Sequence, residues 1–177
     1  MTLGRILLPV DGSDHARRAA ELAGMFAGMY DSEVVVLHVL DPGRLSEEHT
    51  RMVEVEHGVG RQPEELPWVA NVPAELVAML SPREARETQE QKLHRVAEKV
   101  VGVATDILEQ QGVPRERIRV VFRDGRPARA ILNTINDQDV QTVVMGSRGL
   151  SAAGGMVLGS VSHRIASLAP CTVITAR

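Results

Sequence analysis

Five short apolar segments recur along the chain, and they constrain its fold more than any other feature. They occupy residues 6–10, 34–40, 118–122, 140–145 and 171–176. Nearly every position in them is apolar and many are β-branched, whereas a strand with one face in water would alternate polar and apolar residues. The pattern therefore predicts five parallel strands that are covered on both faces.

Helical periodicity fills the stretches between these segments. Residues 14–30 carry apolar residues at helical spacing behind Ser13, a residue type that caps helix N-termini. Further helices are predicted over 93–108, from Pro127 onward and over 160–169. Because strands alternate with helices, we predict an α/β fold of βαβ units: a doubly wound, Rossmann-like parallel sheet with helices on both faces.

Residues 42–83 interrupt this alternation. They hold five of the nine prolines, and residues 41–92 contain eleven acidic against six basic residues. A βα connection usually needs only a few residues, so we predict one domain, residues 1–177, with an insertion at about 42–83 between strand 2 and helix 2. Two interpretations stay open: a solvated excursion, or a lid or partner-docking arm.

Composition excludes several classes of function. The formal charge is −3 and no basic cluster stands out, so we do not expect nucleic acid as a partner. No apolar stretch reaches the roughly 18 residues that span a bilayer, and the N-terminus lacks a signal-peptide pattern, so no membrane partner is expected. The single Cys171 fits a reducing compartment. We therefore expect a cytoplasmic protein.

The segment from Met145 to Ser162 is rich in glycine and serine and contains no acidic residue. It follows the fourth predicted strand, at the edge of the sheet where ligands of open parallel sheets bind. Glycines let backbone N–H groups approach an anion closely, and the helix that begins near Ser160 turns its positive dipole end toward the same place. With Arg148 and the hydroxyls of Ser160 and Ser162 as further donors, the segment predicts a polyphosphate site.

Asp11 follows the first predicted strand and precedes Gly12. A carboxylate there can accept hydrogen bonds from ribose hydroxyls or assist a metal ion carried by the phosphates. The alternative is that it caps the following helix, which Ser13 or Asp14 could also do. Both interpretations stay open from the residues alone.

The spacing Gly146-Ser-Arg-Gly149, nine residues, then Gly159-Ser160 resembles the G-2x-G-9x-G-[ST] motif of the nucleotide-binding universal stress proteins. The segments ILLPVDGS and DGRPARAI are also similar to that family. The resemblance covers roughly residues 3–40 and 93–177. It implies an adenine nucleotide alpha hydrolase-like fold with strand order 3-2-1-4-5. It also implies a site for ATP, ADP or AMP, with Mg²⁺ or Mn²⁺ bound through the phosphates, and homodimers paired through residues 171–176.

The resemblance assigns roles known in the family to individual positions of this sequence. Asp11 matches the aspartate near the ribose, Pro9 and Val10 match residues of the adenine slot, and Val39 matches the position whose backbone meets the adenine edge. The phosphate-side loop is matched by Met145, Gly146, Arg148, Gly149, Gly159, Ser160 and Val161. Arg148 stands where some members carry histidine, and its guanidinium would strengthen contact with phosphate.

Three functions are compatible with these motifs. The first is a nucleotide-dependent regulatory or stress-response protein with an unknown protein partner. The second is a slow ATP hydrolase or an adenylating enzyme, although the chain lacks the G-x-x-x-x-G-K-[ST] lysine of efficient NTP hydrolases. The third is a dimeric interaction module without nucleotide. The sequence does not distinguish ATP from ADP or AMP, and it names no stress or pathway.

Overall fold

The computed structural model describes residues 4–40, 89–150 and 158–177. Its five strands are β1 (Arg5–Pro9), β2 (Val34–Leu40), β3 (Ile118–Asp124), β4 (Val140–Gly146) and β5 (Thr172–Ala176). They form one sheet in the order β3-β2-β1-β4-β5, and every neighbouring pair is parallel. The predicted strand order and fold class are confirmed.

Four helices connect the strands: α1 (Asp14–Tyr30), α2 (Gln89–Gln110), α3 (Pro127–Asp137) and α4 (Ser160–Leu168). Side chains of a strand alternate between its two faces, and β1 shows the consequence. Ile6 and Leu8 pack against α1 and α2, while Leu7 packs against α3 and α4. Two apolar cores therefore lie on opposite faces of the sheet.

The edge strands differ from the prediction. β1, β2 and β4 are largely buried, but the outer strands β3 and β5 are partly exposed, and the Phe122 side chain of β3 is 41% exposed. The apolar pattern predicted all five strands to be covered on both faces. That expectation was wrong for the edges, because the helices cover the middle of the sheet more completely than its margins.

Helix α1 shows how the local sequence sets an element's bounds. The hydroxyl oxygen of Ser13 accepts a hydrogen bond from the Ala16 N–H at 3.2 Å, the predicted N-cap. The helix ends where Asp31 adopts a left-handed conformation with φ of 55°. Helix α2 begins at Gln89, earlier than the predicted Leu93. The prediction missed the first turn because that turn is polar and carries no apolar periodicity.

The predicted insertion at 42–83 and residues 151–157 of the glycine-rich segment lie outside the described residues. No helix in the described ranges is long and apolar enough to cross a membrane.

We expect the Ser13→Ala variant to lower the free energy of unfolding by about 1 kcal/mol, because it leaves the Ala16 N–H without its cap. Ser167→Ala provides a matched control, since the exposed Ser167 hydroxyl only bonds the His163 carbonyl of its own helix. Urea denaturation measures both variants. Equal losses in the two variants would contradict the role assigned to the cap.

Candidate functional site

A pocket opens at the carboxyl ends of β1 and β4, where the chain's connections leave the sheet in opposite directions. This is the position at which doubly wound sheets bind ligands. The structure brings all eleven residues predicted for the site into the pocket lining: Pro9, Val10, Asp11, Val39, Met145, Gly146, Arg148, Gly149, Gly159, Ser160 and Val161.

One part of the pocket is apolar. Pro9 and Val10 come from the end of β1, and Val39 comes from β2. The pocket also includes Ser162, which the sequence analysis named as a donor, and residues that it did not assign: Ala16, Leu37, Pro127 and Ile131. A signal existed for some of them, since Leu37 lies two residues before Val39 on the same face of β2 and Ile131 lies one helical turn after Pro127. The apolar residues of this part of the pocket provide surface for a flat ring system.

The end of β1 is fixed by bonds to β2. The Val10 N–H donates to the Leu37 carbonyl at 2.9 Å, and the Val10 carbonyl lies 2.8 Å from Nδ1 of His38. The ring of His38 meets Phe122 edge-on. His38 is thus a partnered histidine near the end of β2.

Asp11 joins two loops of the site. Its Oδ1 accepts from the Ser13 N–H at 3.1 Å, and its Oδ2 accepts from the Leu150 N–H at 3.2 Å. The first bond shapes the turn between β1 and α1, and the second holds the start of the glycine-rich segment against that turn. Ser13 caps α1, so the alternative that Asp11 caps this helix was wrong.

Ser147 holds the two ends of the glycine-rich segment together. Its N–H donates to the Ala176 carbonyl of β5, and its own carbonyl accepts from the Gly159 N–H, both at 2.7 Å. The Ser162 hydroxyl also donates to the Ser147 carbonyl, at 2.7 Å, and is buried. The expectation that this hydroxyl serves as a phosphate donor was therefore wrong, because its proton is used inside the protein.

Helix α4 presents an open N-terminus to the pocket. Its N-cap is Gly159, which has no side chain to bond the first amides, and Ser160 and Val161 of the first turn line the pocket. The first N–H groups of a helix lack partners within it, and they carry the positive end of its dipole. This end of the pocket is suited to an anion.

The cation of the pocket is Arg148, which forms no ion pair with any residue in the described ranges. His15 of α1 lies beside the first loop glycine. Burial lowers the pKa of His15, and the nearby charges of Arg18 and Arg148 lower it further. Its imidazole therefore holds a proton less readily than a free histidine side chain does.

Glycine stands at positions 146 and 159 of the motif for different physical reasons. A Cβ at Gly146 would come within 2.9 Å of the His15 backbone carbon and 3.0 Å of the Ala16 nitrogen, so close packing of β4 on α1 requires glycine there. A Cβ at Gly159 would lie 3.4 Å from the Arg148 Cα, an ordinary contact, and its φ of −73° suits any residue. The fold does not require glycine at position 159.

Known proteins share this sequence pattern. The model of the universal stress protein family matches residues 2–177, and the chain belongs to this family. A universal stress protein of Thermus aquaticus is 31% identical over 97% of both chains. The universal stress protein YxiE of Bacillus subtilis is 29% identical over 98% of both chains.

Solved structures share the fold. A universal stress protein in complex with cAMP superposes with a TM-score of 0.61 at 19% identity, covering 98% of this chain and 97% of the other. One from Archaeoglobus fulgidus in complex with dAMP gives 0.59 at 18% identity, covering 100% of each chain. One from Arabidopsis thaliana with AMP bound gives 0.58 at 17% identity, covering 98% of this chain and 90% of the other.

The two glycines give a paired prediction on stability. Gly146→Ala should lower the free energy of unfolding by about 1–3 kcal/mol, because its methyl group meets backbone atoms of α1 that cannot move aside. Gly159→Ala should change it by less than about 0.5 kcal/mol. Chemical denaturation tests both. A large loss at Gly159 would mean that this glycine is structural and would weaken its assignment to ligand binding.

Proposed function

We propose that this protein binds an adenine nucleotide, with ATP as the preferred ligand and ADP or AMP as alternatives, and that it acts as a nucleotide-dependent regulatory protein in the stress response. The observation that carries the proposal is a pocket that joins an apolar slot to an open helix N-terminus and to Arg148. Ligand-bound relatives that contain cAMP, dAMP and AMP support the class of ligand.

In this proposal the adenine lies against Pro9, Val10 and Val39, because a planar heterocycle gains most from apolar walls with backbone groups at their edges. The ribose lies near Asp11. Each carboxylate oxygen of Asp11 accepts one backbone N–H and retains a second lone pair, so a ribose hydroxyl can donate to it without displacing a loop.

The phosphates lie at the α4 N-terminus and Arg148. Backbone amides of Ser160 and Val161 would donate to phosphate oxygens, and the guanidinium of Arg148 would neutralise charge. Among the described residues, no three His, Cys, Asp or Glu side chains are grouped so that they could hold a metal ion. A divalent ion in this proposal is therefore bound through the phosphates.

A binding role is favoured over efficient catalysis by the chemistry of the lining. None of the described lining residues is a lysine, and the carboxylate among them, that of Asp11, bonds two backbone amides. An attacking water would need a general base positioned within hydrogen-bond reach. The lining residues supply binding and orientation, which suits a protein that senses its nucleotide.

We expect Gly159→Val to abolish nucleotide binding while the protein stays folded, because the added methyl groups would fill the space through which amides of α4 reach phosphate. Gly102→Val is a matched control: Gly102 lies in α2, a Cβ there would meet no described atom within 4 Å, and the residue is not part of the pocket lining. Calorimetric titration with ATP and AMP measures both variants. Unchanged affinity in folded Gly159→Val would overturn the phosphate assignment.

Mass spectrometry of small molecules released on denaturing freshly purified protein tests the same proposal directly. Release of ATP, ADP or AMP supports nucleotide binding and identifies the ligand. A protein that releases none and binds none in titration would instead be an interaction module without nucleotide. Release of an adenylated product would favour the adenylating enzyme.

The exposed edge of the sheet supports a proposal on assembly. We propose a homodimer built on residues 171–176, with Val173 and Thr175 near a twofold axis. β5 is an edge strand with no proline or charged residue in it, and its middle residues are half-buried. Such an edge pairs readily with a second strand, and Leu168 of α4, 56% exposed, adds apolar surface.

Two arginine substitutions test the dimer. Thr175→Arg would place two like charges across the proposed axis and should yield a monomer. Phe122→Arg makes the matched change on the opposite edge strand, β3, and should leave the dimer intact. Light scattering measures the mass of each variant. A dimer that survives the first change but not the second would place the interface at β3.

A further inference from the structure

Three polar atoms around the first loop glycine are buried without a hydrogen-bond partner among the described residues. They are Nδ1 of His15, Oγ of Ser147 and Nε of Arg148. A Cβ placed on Gly146 would touch the backbone and the Cβ of His15, and Ser147 and Arg148 are the next two residues of the chain. A buried polar atom without a partner destabilises the protein, so a cluster of them requires an explanation.

Burial and the nearby cations act against a proton on the ring of His15. Arg18 lies on the same helix and Arg148 on the loop after β4, and both disfavour a proton on the imidazole, as burial does. Asp14 on α1 and Asp11 on the turn before it act in the opposite direction but are the weaker influences. Together the surroundings hold the pKa of His15 below its ordinary 6.5.

A polyphosphate in the pocket would reverse this balance. Arg148 lines the pocket, so a phosphate that neutralises its guanidinium removes one of the charges acting against a proton on His15. Each additional phosphate brings further negative charge to the same place. The imidazolium carries a hydrogen on both ring nitrogens, so the orphaned Nδ1 is then a donor whichever tautomer the neutral ring has.

We propose that His15, which lies behind Gly146 and outside the pocket lining, acts on the phosphate site through its charge: it takes up a proton from solvent when a nucleotide binds, and it favours nucleotides with more phosphates over AMP. The inference rests on the proposed nucleotide function and deepens it. It makes binding depend on pH: because the protonated ring favours the bound state, ATP affinity rises as the pH falls, and the rise ends below the lowered pKa of His15 in the unliganded protein.

Isothermal titration with ATP and with AMP tests this in buffers of different ionisation enthalpy, which reports the number of protons taken up. We expect His15→Gln to weaken ATP binding about tenfold and AMP binding less than about twofold, and to lose most of the proton uptake seen with ATP. ATP titrates in this pH range itself, and the titration of the free nucleotide is the same in both experiments.

Two more variants separate charge from structure. His15→Lys carries a fixed cation, so it should retain ATP affinity within about threefold at pH 8 while taking up no proton at this position. His94→Gln, an exposed histidine of α2 outside the pocket, should behave as the wild type. Circular dichroism confirms that each variant is folded.

The outcomes distinguish this inference from the function beneath it. If the wild-type protein binds ATP, and folded His15→Gln matches it in affinity and in proton uptake, the role of His15 is wrong and the nucleotide proposal stands. If the wild-type protein binds neither ATP nor AMP, the nucleotide proposal itself fails.

Discussion

The double pairing of β1 positions the rest of the structure. This strand bonds β2 on one edge and β4 on the other, and Ile6, Leu7 and Leu8 are fully buried between helices on both faces. Complete burial of one such side chain is worth about 1.5–3 kcal/mol. Because the chain leaves β1 toward β2 and later returns to β4 on the other side, the helices diverge at its carboxyl end. The pocket is a consequence of that divergence.

Backbone hydrogen bonds shape much of the pocket. Asp11 ties the β1–α1 turn to the Leu150 amide, and the backbone of Ser147 ties the glycine-rich segment to β5 and α4. At α4 the pocket is lined by Gly159, Ser160 and Val161, and no side chain caps the helix. Packing against α1 requires glycine at position 146, whereas the fold does not require it at position 159, where the proposed approach of α4 amides to phosphate accounts for it.

Local pattern predicted the sheet, because buried parallel strands are apolar throughout. It also predicted a ligand site at the carboxyl ends of the strands. The strand order and lining residues such as Pro9 and Met145 came from the resemblance to the universal stress proteins. Features set by tertiary contacts were not predictable. Three contacts of this kind join residues that are distant in sequence. They are the bond from Ser162 to Ser147, the bond from Leu150 to Asp11 and the packing of His15 on Gly146.

One hydrogen bond links the two proposed interaction sites. The Ser147 N–H begins the glycine-rich segment, and the carbonyl that it bonds, that of Ala176, ends the strand proposed to pair with a second copy. A ligand that shifts the base of the segment therefore acts directly on the end of β5. Coupling between two sites is reciprocal, so a nucleotide that favours pairing would itself bind more tightly to the paired protein. If the nucleotide and dimer proposals both hold, such a shift in assembly would be the physical means by which bound nucleotide becomes a signal.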